Sequence, residues 1–126
     1  MNLQKMALAA IVAISVPVFA EEIARPGSLN YVEGAVALEG QPLTSRSVGS
    51  VTLNPGEILS TGRGRAEILL TPGVFLRLDN GSALKMIAPG LTQTQVELLR
   101  GRAAVEVDEI YDENDLEVIV DGVSTQ

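Results

Sequence analysis

The stretch TPGVFLRLDNGSALKM, residues 71–86, brings Arg77, Asp79, Asn80 and Ser82 within six positions of one another. A guanidinium, a carboxylate and a hydroxyl at that spacing could form a ligand site. Turn chemistry gives a simpler account. Asn80-Gly81 supplies the two positive-φ residues of a type I′ turn, and Asp79 can accept hydrogen bonds from the turn amides. Arg77 then falls on the strand face opposite Leu76 and Leu78, over the sheet surface or paired with a carboxylate on a neighbouring strand.

Other chemistry is scarce. The chain has no histidine and no cysteine. That excludes Ser-His-Asp and Cys-His catalysis, histidine-liganded zinc or haem, iron–sulfur clusters and disulfides. Carboxylates alone can hydrolyse glycosides, but here they lie on polar strand faces and in one loop, with no pair marked as facing across a cleft. The reading is therefore non-enzymatic, without cofactor or metal. The acidic run from Asp108 to Asp115 fails the EF-hand pattern. Ile110 or Leu116 falls at a ligand position, and no glycine stands at position 6. It reads as a solvated loop. Gly62-x-Gly64 lacks the third glycine of a dinucleotide fingerprint, because Glu67 holds that place, so it reads as a turn between strands. Arg63, Arg65, Arg100 and Arg102 would form a small basic spot if the two glycine-bearing turns lie close together. With Arg77 they are the candidate partner contacts.

The elements that must position these residues are strands. Val74, Leu76 and Leu78 share one face with Arg77 pointing away, Ala66, Ile68 and Leu70 share one against Glu67 and Leu69, and Ala103, Val105 and Val107 share one against Ala104 and Glu106. Period two over short runs bounded by Gly and Pro is the strand signature. Further runs span residues 29–33, 35–39, 51–53, 57–61, 83–87, 95–99 and 116–120. No segment after the N-terminal one keeps a helical period. The expectation is an all-β fold: a two-layer β-sandwich or short β-roll of about 8–10 short, locally connected strands. Pro-Gly recurs at Pro55, Pro72 and Pro89, each suited to a type II turn, in steps of 17 residues. The first two units share L-x-P-G-x-x-L-x-x-x-x-G-x-A. Stacked repeats and simple hairpins of similar length both explain that period.

Residues 1–20 have the form of a signal peptide: Lys5 in a short n-region, an apolar run to Phe19, and Val18-Phe19-Ala20 before the cut. The run is short for a spanning helix. Cleavage after Ala20 would leave 106 of the 126 residues, a linker over 21–28 and one β domain over 29–126. Loss of Lys5 moves the net charge from −7 to −8. An acidic, exported chain argues against nucleic acid as a partner, and a membrane is involved only if the N-terminal segment stays uncleaved.

Five segments then resemble the FecR-domain family: LNYVEGAVALEG from Leu29, LNPGEILSTG from Leu53, GRAEILL from Gly64, FLRLDNGSAL from Phe75 and VELLRG from Val96. They match its glycine-bracketed strand pair and its approximate patterns G-D-x-L-x-T-G, G-x-A-x-L-x-L-x-D-G-S-x-L-x-L and V-x-L-x-x-G. Glu57 stands where the family usually has Asp, and residues 72–78 insert a strand's worth of sequence. The resemblance spans about residues 29–107 and rests on turn and core positions. It implies an extracytoplasmic β domain, periplasmic or secreted, that contacts an envelope protein in signalling or assembly. The best-known members are inner-membrane regulators with a cytoplasmic anti-sigma segment and one span. A signal that begins at residue 1 departs from that plan, so a membrane-anchored sigma-factor regulator ranks below a stand-alone domain. Between them stands a binder of small molecules or envelope glycans, which needs exposed aromatics or a concave polar face.

Overall fold

Alternation in the sequence becomes alternation of burial. The computed structural model describes residues 25–90, 92–108, 115–120 and 123–125. Residues 1–20, with the expected signal segment, and 109–114, most of the acidic loop, lie outside them. Along the described chain run β1 (Ser28–Leu38), β2 (Gln41–Leu43), a 3-10 turn (Ser45–Ser47), β3 (Ile58–Thr71), β4 (Val74–Leu78) and β5 (Ala83–Pro89). Then follow β6 (Gln93–Arg100), β7 (Ala103–Val107), β8 (Asp115–Val120) and β9 (Val123–Thr125). In β4, Val74, Leu76 and Leu78 are buried while Arg77 is exposed, as period two requires. The fold is all-β. Among the described residues, no helix is long and apolar enough to cross a membrane.

The strands form one open, mixed sheet that forks at β3. One edge of β3 pairs antiparallel with β1, from Ser28↔Leu69 to Leu38↔Leu59. The other edge is divided. Residues 58–60 pair with β5, and residues 66–71 pair with β4. One branch continues from β4 to β7, and the other from β5 through β6 and β8 to β9. Both branches share one core, with Ile68, Leu70, Leu76 and Leu78 packed in the same cluster as Leu59, Leu84, Met86 and Val96. Each such side chain contributes on the order of 1.5–3 kcal/mol by leaving water. With few aromatic residues in the chain, this aliphatic cluster is what holds the fork together.

The fork corrects several local expectations. Gly62 and Gly64 lie inside β3 rather than in a turn, so runs 57–61 and 66–70 are one strand of 14 residues. β4 and β5 are not a hairpin, because each pairs with a different half of β3. Nor is the order wholly local. β7 leaves β6 to pair with β4, and β8 returns parallel to β6. Finally, Gly56 and Gly73 have φ of +86° and +82°, as type II turns need, but Gly90 is not among the positive-φ residues. The 17-residue echo marks core positions instead of stacked units. Leu53 and Leu70, Leu59 and Leu76, and Ala66 and Ala83 are all buried. Yet residues 59–66 run straight through β3, while residues 76–83 leave β4, turn and enter β5. Residues 51–53 form only an isolated bridge, Ser28↔Thr52. Ser28, at the end of the expected linker, already belongs to β1, and the turn residue before it is tied to β3, since Gly27 N–H donates to Leu69 C=O at 2.6 Å.

Candidate functional site: a charged groove beside a free sheet edge

Register decides what the outer face of the β1–β3–β4–β7 branch displays. Tyr31 lies opposite Glu67, Glu67 opposite Arg77, and Arg77 opposite Ala104. One step along, Glu33 lies opposite Arg65. These residues, with Asp79 and Arg102, line a half-open depression of about 750 Å³. Tyr31 is 48% exposed, so an aromatic ring stands at this polar surface.

The charges form a bridged row across three strands. Arg77 Nε donates to Glu67 Oε1 at 2.9 Å, and Arg77 Nη2 lies 2.7 Å from Glu106 Oε2. Asn30 Nδ2 donates to the other oxygen of Glu67, tying β1 into the row. The hydrogen bond to Glu67, then the field of Glu106, raise the Arg77 guanidinium above its ordinary pKa. Arg65 and Asp79 make a looser pair at 3.7 Å. Arg102 has no ion pair among the described residues.

The Asp79–Ser82 segment does structural work. Asn80 is not among the positive-φ residues, although Gly81 has φ of +62°, so the expected type I′ turn is not formed. The reason is topological: the segment carries the chain from one branch to the other instead of reversing it within a hairpin. Asp79 Oδ1 does accept from Asn80 N–H at 2.8 Å, as an Asx residue should. Ser82 is fully buried, and it is a knot. Its N–H donates to Thr61 Oγ1 at 3.0 Å, and its Oγ accepts from Arg102 N–H at 2.9 Å. Thr61 Oγ1 in turn donates to Asp79 C=O at 2.5 Å. Ser82 therefore joins the middle of β3 to the β6–β7 connection.

Of the sequence candidates, Arg65, Arg77 and Arg102 meet in the groove. Arg63 and Arg100 do not line it. Arg100 lies beside Gly62 in a second, smaller depression of about 420 Å³. The four-arginine spot is thus divided, because Gly62 and Gly64 are strand residues and not a turn beside Gly101. Sequence reading missed Tyr31, Glu33, Glu67 and Glu106. Their signal was present in period two, which puts them on the solvent side of their strands, but the cross-strand register that assembles them is not local. Among the described residues, no group of three or more carboxylates could hold a metal ion.

The free edge of β7 completes the site. Asp79 N–H donates to Arg102 C=O, and Asp108 N–H donates to Gly73 C=O. In an antiparallel ladder this parity turns residues 102, 104, 106 and 108 toward β4. It directs the N–H and C=O of Ala103, Val105 and Val107 away from the sheet. Among the described residues no strand covers them. Val105 and Val107 are also 39% and 46% exposed. No protein-family model matches the chain, and neither a curated protein nor a solved structure matches it significantly.

Proposed function

We propose that the chain is an exported, non-enzymatic FecR-like domain that works by protein–protein contact in the cell envelope. The observation that carries this reading is the β7 edge. Three residues direct backbone groups outward that no strand among the described residues covers, two of them with exposed valine side chains, and neither lysine nor proline blunts the strand. Such an edge accepts an extended segment by strand addition, with backbone bonds giving affinity and alternate side chains giving specificity. Signalling and assembly are both served by that contact.

The test is crosslinking in envelope extract with a photoreactive group placed at residue 104, compared with the same chain carrying Val105→Pro. Proline removes an outward N–H without touching a β4–β7 hydrogen bond. A crosslinked protein lost in the proline variant supports the reading. No protein crosslink, or one indifferent to proline, overturns it.

The groove favours a second reading, a small-molecule or glycan binder, since it offers a concave polar face, three arginines and an exposed tyrosine. Thermal-shift screening against glycans and anionic small molecules separates the two. A reproducible rise in melting temperature that disappears in Tyr31→Ala would place function in the groove.

A further inference from the structure

The geometry points to a second copy of this chain as an occupant of the β7 edge, forming an antiparallel, two-fold β7–β7 pair centred on Val105. This rests on the reading of β7 as an acceptor edge and names its partner.

Parity comes first. Two strand edges can pair only if outward-directed residues face outward-directed residues. Centring on Val105 sets Val105 opposite its own copy and Ala103 opposite Val107. All three are the residues whose backbone groups face away from β4. About six backbone hydrogen bonds follow from that register. A one-residue slip would set outward groups against inward ones, and of the registers that parity allows, the one centred on Val105 sets Val107 opposite Ala103 and Arg102 opposite Asp108.

Side chains agree on both faces. On the core side, Val105 and Val107 are the exposed apolar residues, and the two-fold axis puts each beside an apolar side chain of the other copy. On the groove side, Ala104 falls opposite Glu106, so no like charges meet. One step further out, Arg102 falls opposite Asp108. Neither makes an ion pair among the described residues, and both are exposed. Each is the other's missing partner across the axis, and the symmetry supplies the pair twice. A partner strand of unrelated sequence would meet these requirements only by coincidence; the chain's own β7 meets them all. The contact is small, so the dimer is transient and forms in proportion to concentration.

Sedimentation velocity on the chain purified after export, across the micromolar to millimolar range, reads the pairing. The chain should shift from monomer toward dimer, and Val105→Pro should remain monomeric with an unchanged circular dichroism spectrum. Charge reversal tests the register and is independent of proline. Arg102→Asp alone and Asp108→Arg alone each set like charges opposite across the axis, and each should weaken the dimer by about tenfold or more. Mixing those two single variants restores both attractions and should give a heterodimer at least as tight as wild type. A chain that stays monomeric at millimolar concentration overturns the proposal. So does a dimer insensitive to both charge reversals. Because neither result bears on crosslinks to other proteins, self-pairing can fail while the acceptor-edge reading stands.

Discussion

Gly34 lies directly opposite Gly64 in the β1–β3 ladder, next to a break in register between Gly34 and Val36. The two backbones approach so closely there that neither position has room for a side chain. A Cβ on Gly64 would come within 2.5 Å of Glu33 C=O and 2.6 Å of Ala35 N. A Cβ on Gly34 would come within 2.3 Å of Arg63 C=O, at a φ of +69°. The bulge bends β1 so that it can follow β3 along both halves of the fork.

Gly64→Ala should therefore destabilise the domain by about 1–3 kcal/mol or more, since the crowding atoms are backbone and cannot rotate away. Gly62→Ala, two residues earlier, meets only Ala35 Cβ at 3.5 Å and should change stability by no more than about 0.5 kcal/mol. Urea titration of both variants checks the contrast. Equal midpoints would mean that the close approach is absent.

Ser82 supplies the second expectation. Replacing it by Ala leaves Arg102 N–H without its acceptor at a part-buried crossing, costing about 1 kcal/mol or more. Thr61→Ala removes the acceptor of Ser82 N–H and should cost a similar amount. Because the two groups form one network, the double variant should lose less than the sum of the single losses. Additive losses in a double-mutant cycle would show that Thr61 and Ser82 act separately.

The strands were legible because burial on one face forces period two. The 74–78 and 103–107 runs coincide with β4 and β7. What alternation could not express was which strand each one meets. Residues 79–82 have the composition of a hairpin turn, yet β4 and β5 each find a free half of the 14-residue β3, which already offers both its neighbours a shared core. Local turn propensity is worth about a kcal/mol, and that non-local burial outweighs it. The groove was legible only in its arginines. Arg77 could be placed on a solvent face from its neighbours, but its meeting with Glu67 and Glu106 depends on the registers of two ladders.

The groove makes its own prediction through Tyr31. Its ring is half exposed on β1, where it contributes little to the core. Tyr31→Ala should leave the urea midpoint nearly unchanged, within about 0.5 kcal/mol as for other surface positions. A larger loss would mean that the ring holds β1 against β3 and is not available to a ligand.

The Arg77 row sets the last expectation. Glu67 is well covered and accepts from both Arg77 and Asn30, whereas the side chain of Glu106 is 47% exposed. Glu67→Ala should lower the melting temperature more than Glu106→Ala. Arg77→Ala should lower it less than Ser82→Ala, because exposed pairs are screened by water and salt. Added salt should shrink the Arg77–Glu106 coupling in a double-mutant cycle and spare more of the Arg77–Glu67 coupling. The pH dependence has a definite sign. A guanidinium whose pKa is raised by folding stabilises the native state fully below its ordinary value and loses that contribution as pH climbs through the raised one. Arg77's own titration should thus leave the melting temperature flat through neutral and mildly alkaline pH. A fall there that Arg77→Ala abolishes would mean that its carboxylate neighbours do not hold the proton as the geometry requires.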